Sequence, residues 1–485
     1  MATYPDITMA DTPMADTPVL TSPFEKVPLE LLSRITCFLS TPELGDLRLT
    51  GRSTERKFYT AFANEFFTRK QFMISEMSLQ ALIDISKSRL GVRLRKVYIG
   101  LDRFTNPLQI NGWNARTIRQ IALYDGQFTM LSVGHQVVML AEAFRNLSNL
   151  EDIVIRDFNS NRRSGDGYNK QWTSYGSTTA LRETGHRPGQ SNVLAWGNDT
   201  TPFYGSTIFS SVLCALGQAN ARPTGIEYMS RSNNHLRDLA FTLPSYTLPS
   251  ITPVLENLRK LHIDIDLLGG RDFSSDDADG YSPTADMELR KFLLKLKNIR
   301  HLRINETHSS VTGPGMLLKW LGEDSSPTSP SAMGPSPEYP YIEELNFGKM
   351  NVEPQHLLAV ARKFASSLKR LQLHKVTLCR RLPDGHTGAA LPKLKFWQKF
   401  LEELKDTPGL DLRHIKVSMP QQQWISRSRS SVSFRGSTIC QYTGTDWKRF
   451  VEDEMMPSVT VQWRREDSAS DSEEDSEESG SDGDE

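Results

Sequence analysis

Cysteine is scarce in this chain. Cys37, Cys214, Cys379 and Cys440 are the only four in 485 residues, and they stand far apart. That excludes a disulfide framework, and the absence of any CxxC pair makes a zinc site a poor fit. Scattered buried thiols in a reducing compartment are the expectation. Long apolar runs are absent too. None approaches the roughly 20 residues that cross a bilayer, and the mean hydropathy is −0.44. The N-terminus lacks a basic stretch followed by an apolar core, so no secretory signal is expected.

Recognisable catalytic signatures are also missing. The sequence holds no HExxH, GxSxG, P-loop or GxGxxG pattern, and its ten histidines do not gather with cysteines at ligand spacing. Asp264-x-Asp266 has the look of a metal-binding pair. It falls in an alternating Ile263/Ile265 strand pattern, however, and reads as a solvent-facing strand edge. His262, His301 and His374 each lie in a strand-like segment and read as structural or solvated. No catalytic residue, metal or cofactor is therefore assigned, and the expectation is a protein without enzymatic activity.

What is present is unevenly distributed. Residues 1–23 are rich in Thr, Pro, Met, Ala and Asp, with Met9–Pro13 repeated as Met14–Pro18. Such a segment cannot bury enough apolar surface to offset its ordering entropy and is expected to be disordered. From Glu466 to Glu485 there are 11 acidic residues and no basic one, which leaves 57 basic against 47 acidic residues in the rest of the chain. Ser468, Ser470, Ser472, Ser479 and Ser481 each have an acidic residue three positions on. They are candidate phosphorylation sites for acidophilic kinases, each modification adding about two negative charges. Arg427 and Arg429 lie in a serine-rich stretch without interleaved aromatics, so nucleic-acid binding is not expected.

Between these ends the apolar pattern is helical, then alternating. Pro28, at a helix start, precedes Leu31, Leu32, Ile35, Phe38 and Leu39 at helical spacing. Ser40 and Glu43 have capping-box spacing before Leu44, Leu47 and Leu49, and Phe58, Phe62 and Phe66 mark a third helix. Further on, helical and strand-like stretches alternate: a helix around Leu79–Ser86 stopping near Gly91, a strand through Val97 and Ile99, a helix through Val137–Leu147, a strand through Ile153 and Ile155, a helix through Ile208–Leu216.

Leu255-x-x-Leu258-x-x-Leu261-x-Ile263 matches Leu296-x-x-Ile299-x-x-Leu302-x-Ile304. Shorter copies end in Leu239-x-Phe241, Leu345-x-Phe347, Leu371-x-Leu373 and Ile415-x-Val417. From Leu239, the markers are spaced by 22, 41, 43, 26 and 44 residues. A helix followed by a short strand, repeated, predicts an irregular leucine-rich-repeat-like α/β solenoid; an ordinary α/β domain is the alternative. Stretches 159–200, 269–285 and 323–340, rich in small and turn-forming residues, are expected as disordered insertions. The predicted organisation is a disordered 1–23, a three-helix module over 24–67, an α/β body over 68–465 and an acidic disordered tail over 466–485.

Val27-Pro28-x-Glu30-Leu31-Leu32-x-x-Ile35-x-x-x-Leu39, continued by Leu44-x-x-Leu47-Arg48-Leu49-x-x-Arg52, resembles an F-box over about 45 residues. The stretch from Phe72 to Phe104, with Ser78-Leu79-x-x-Leu82 and Ile99–Phe104, is similar to the continuation in filamentous-fungal F-box proteins. The resemblance implies a substrate adaptor of a cullin-type (SCF) ubiquitin ligase in cytosol or nucleus. Val27, Pro28, Leu31, Leu32, Ile35, Leu39, Leu44, Leu47 and Leu49 would meet a Skp-type adaptor linked to the cullin, and the body would hold a protein substrate. A non-degradative scaffold is the first alternative. An enzyme with an unrecognised site would show a deep pocket with convergent polar groups. An acidic histone-binding chaperone is the fourth reading.

Overall fold

The computed structural model describes residues 26–104, 114–162, 166–189, 203–232, 234–267, 285–307, 314–323, 334–382, 393–425 and 427–463. The chain divides into two compact units. One comprises residues 1–66 and 160–172, the other 67–159 and 173–485.

The smaller unit contains α1 (Leu29–Phe38), α2 (Thr41–Leu49) and α3 (Arg52–Phe67). The capping box expected at α2 is formed: Ser40 Oγ accepts from Glu43 N–H, and Glu43 accepts from Ser40 N–H at 2.7 Å. Leu32, Leu44, Phe58 and Ala63 make its interior. Residues 160–172, predicted as part of a loose insertion, instead belong to this unit. Asp166 accepts from both Thr41 N–H and its hydroxyl at 2.6 Å, adding an anion at the start of α2. Trp172 meets Phe66 edge-on, with centroids 5.8 Å apart.

In the larger unit, strands and helices alternate, as the apolar pattern predicts. The strands are β1 (Arg69–Met73), β2 (Lys96–Gly100), β3 (Asp152–Arg156), β4 (Gly225–Met229), β5 (Lys260–Ile265), β6 (His301–Glu306), β7 (Glu344–Gly348), β8 (Asn351–Val352), β9 (Arg370–His374), β10 (Thr377–Arg380), β11 (His414–Ser418), β12 (Gln421–Trp424), β13 (Ser430–Phe434), β14 (Ile439–Thr443) and β15 (Val459–Gln462). Intervening helices include α4 (Glu76–Lys87), α5 (Ala115–Ser132), α6 (His135–Asn146), α7 (Ser177–Thr184), α8 (Tyr204–Ala219), α9 (Leu248–Asn257), α10 (Met287–Leu293), α11 (Met316–Gly322), α12 (Pro354–Lys363) and α13 (Phe396–Lys405).

The long sheet runs β1-β2-β3-β4-β5-β6-β7-β9-β11-β14. It is parallel up to β11, and β14 pairs antiparallel. Each new strand is laid beside the one before it, so the order never turns back. The markers Leu261, Leu302, Leu345, Leu371 and Ile415 are successive register partners. They and their i+2 neighbours are buried in one continuous apolar core with the helices. Two readings are corrected. Leu239 lies in a 3-10 turn, Asp238–Phe241, and is 48% exposed; the strand in that region is β4. Within 159–200, residues 177–184 form α7.

At three corners the chain passes directly from the long sheet into a second sheet, ordered β15-β13-β12-β10-β8. The corner residues Lys349, Lys375 and Met419 all have positive φ, at 56°, 52° and 51°. Lys349 N–H bonds His374 O, and Lys375 N–H bonds Ser418 O, both at 2.8 Å, so the ladder continues through the corners.

Candidate functional site: the polar face of the long sheet

Strand alternation puts the leucine-type positions into the core and the intervening positions on the opposite face. Because the register is unbroken, these outward residues form rows across the sheet. Near the strand starts the row is Arg69, Lys96, Asp152, Gly225, Lys260, His301, Glu344, Arg370, His414. Two residues on, it is Gln71, Tyr98, Val154, Glu227, His262, Arg303, Asn346, Gln372, Lys416.

The first half of this face is self-neutralised. Lys96 lies 3.3 Å from Asp152 and 2.9 Å from Glu227; Lys260 lies 2.8 Å and 2.9 Å from the same two carboxylates. Gly225 makes this possible, since a Cβ there would collide with the Asp152 carboxylate and the Lys260 stem. Burial pushes the Glu227 carboxyl up, but His262, Lys96 and Lys260 together hold it far below the usual range.

The second half is different. Glu344 takes His301 at 3.1 Å and Arg370 at 3.4 Å, and Lys349 reaches Asp264 only at 3.9 Å. Among the described residues, Arg303, Lys375 and Lys416 have no carboxylate within 4.0 Å. His374, bonded to Ser418 Oγ at 2.9 Å, is held below its usual pKa by burial and then by Lys375, Arg303, Lys349 and Lys416.

At the strands' carboxyl ends, buried acids serve the backbone. Asp157 accepts from the Ser230 hydroxyl and from the N–H groups of Arg231 and Ser232, each at 2.8 Å. Asp264 accepts from Ser230 N–H at 3.0 Å, and Asp266 pairs with Arg237 at 3.2 Å. Asp264 and Asp266 are thus buried, not solvent-facing as the sequence pattern predicts. Their oxygens hold Ser230 and Arg237 at the strand ends, a structural task. Among the described residues no group of three or more His, Cys, Asp or Glu side chains could hold a metal, and no helix is long and apolar enough to cross a membrane. One pocket, lined by Phe396, Gln422, Trp424, Ser430 and Trp463, has room for about one water and no carboxylate.

The residues expected to meet an adaptor are split by the helical unit. Leu32 and Leu44 are buried, as are Phe58 and Ala63 of the same unit. Leu31, Ile35 and Leu49 are 50%, 40% and 76% exposed, Pro28 is exposed, and Val27, Leu39 and Leu47 are half-buried. Of the cysteines only Cys379 is buried, its thiol pushed up to about 11 by that burial; Cys37 is exposed, and Cys214 and Cys440 are half-buried. The five tail serines lie outside the described residues. Arg429 bonds Asn351 and Gln423 at the start of β13.

No family model matches any part of the chain, and no curated protein matches it. Among solved structures, it aligns with a GH138 enzyme targeting pectin rhamnogalacturonan II at 9% identity and a TM-score of 0.16. That alignment covers 64% of this chain and about a third, 34%, of the enzyme. A likeness of this size assigns neither fold nor activity. The expected role as an F-box adaptor of a ubiquitin ligase is nevertheless withdrawn. No family model and no curated protein supports it.

Proposed function

We propose that the chain is a non-enzymatic binding protein whose body is a leucine-rich-repeat-like solenoid that holds a protein partner on the polar face of the long sheet. The carrying observation is the unbroken register from β2 to β11, whose outward positions in these two rows are polar except at Gly225 and Val154. Helices cover the other face and fill the core; on this face Gln71, Val154 and Glu227 are buried, while the positions of both rows from β6 to β11 are half-buried or exposed, the part that stacked repeats would offer to a partner. The buried carboxylates are occupied by backbone N–H groups and arginine, which suits a scaffold better than acid–base chemistry.

The test is a photo-crosslinking amino acid placed singly at Gln372, on the face, and at Lys319, on the exposed side of α11, in the full chain in native extract. A discrete protein adduct at Gln372 and none at Lys319 is the expected result. Equal labelling at both positions would remove the support for this face.

A further inference from the structure

The geometry points to the kind of partner this face takes: we propose that the second half of the face, from β6 to β11, binds a protein segment carrying clustered Asp or Glu side chains. This inference rests on the binding-face reading above and specifies its ligand. The row Arg303–Asn346–Gln372–Lys416 has a cation at each end and two amides between. All four residues are half-buried, so their heads are partly held by the sheet and partly offered to solvent.

Adjacent strands lie about 4.8 Å apart, so Arg303 and Lys416, three strands apart, stand roughly 14 Å from each other. An extended peptide advances about 3.4 Å per residue and returns to the same side every second residue. Carboxylates at positions i and i+4 of a peptide crossing the strands therefore match both cations. The amide nitrogens of Asn346 and Gln372 donate to Glu344, at 2.9 Å and 3.4 Å, so the two cations and not the amides carry the recognition.

Lys349 and Lys375 reinforce the positive field from the corners. Both occupy left-handed backbone that L-residues rarely adopt. The acids bordering the site are already engaged, Glu344 by His301 and Arg370 and Asp264 by Ser230 N–H. A nucleic acid fits less well. The row offers no aromatic ring for a base to stack on, and Glu344 interrupts the cationic track that a continuous phosphate backbone needs.

The test titrates fluorescein-labelled decaglutamate into the full chain at low salt, with Arg303→Ser/Lys416→Ser and a helix-side control, Arg145→Ser/Lys319→Ser. Every variant carries the run Glu466–Glu485 with its Asp and Glu residues changed to Asn and Gln, because an acidic tail competing for the same cations would compress the difference between variants. Saturable binding that weakens at least tenfold in the face variant, and less than twofold in the control, is expected. A peptide with two glutamates at i and i+4 should bind at least threefold tighter than one with them at i and i+3. If the face variant fails to fold by circular dichroism, Lys375→Gly, which suits the left-handed corner, replaces it with a twofold to fivefold loss expected. Binding unchanged in the face variant, or tighter binding of a ten-thymidine oligonucleotide than of decaglutamate, overturns the proposal. A crosslinked protein at Gln372 without decaglutamate binding overturns the acidic ligand and leaves the face reading standing; loss of both results overturns both.

Discussion

The two halves of one sheet face use charge in opposite ways. From β2 to β5, Lys96, Asp152, Glu227 and Lys260 satisfy one another within 3.3 Å, and the face there is electrostatically closed. From β6 to β11 the same register positions carry Arg303, Arg370 and Lys416, with Glu344 as their one counter-charge. The backbone is the same in both halves. Charges that answer each other stabilise the fold, and charges left unanswered are available to something else.

The comparison can be broken most strongly at Glu227. Glu227→Ala leaves His262 without its carboxylate and Lys96 and Lys260 sharing Asp152 alone in a sheltered site, and should cost about 2 kcal/mol in urea unfolding. A loss below about 1 kcal/mol would show that the first half is not held by its ion pairs. Glu344→Gln should cost about 1 kcal/mol at neutral pH.

Glu344 also gives a pH signature. The hydrogen bond from His301, opposed by burial and aided by Asn346, holds its carboxyl at about 2, below its ordinary 4.5. A depressed carboxyl contributes stability above its unfolded value and loses it as pH falls through the folded one. Wild type should therefore lose stability relative to Glu344→Gln between about 4.5 and about 2, and parallel acid-unfolding curves would contradict this. Lys375→Gly should gain about 0.5 kcal/mol by relieving the positive φ. Smallest of all, Arg303→Ser should change stability by less than about 0.5 kcal/mol; a larger loss would mean that the second half is also spent on the fold.

Much of this architecture is legible in the sequence. Leu261, Leu302, Leu345, Leu371 and Ile415 were recognisable as equivalent positions, because core burial at every second residue leaves an L-x-I trace. The polar face was written in the x of those same segments, Arg303, Asn346, Gln372 and Lys416. Its rows become apparent only when register is known, and helices and loops of unequal length between strands hide the register. Leu239 misleads because a bridge residue and a 3-10 turn also bury apolar side chains at short intervals, here Leu236 in the bridge and Ala240 and Phe241 in the turn. Residues 160–172 read as loop because glycine, serine and asparagine dominate locally. Asp166 and Trp172 tie them to the helical unit through contacts more than a hundred residues away in sequence. Asp264 and Asp266 were misplaced because alternation predicts exposure and cannot see segment 230–237 folding over the strand ends.

The reversed strand β14 bears on assembly. A sheet built by setting each parallel strand beside the last has no geometric reason to stop, and its open edge would accept a matching strand from another molecule. β14 runs antiparallel to β11 and alternates exposed and half-buried side chains. A second copy running in the direction of the series would therefore meet this edge antiparallel, and not by the parallel pairing that builds the repeats. In polymer terms, adding a neighbour at this end is a different step from adding a repeat.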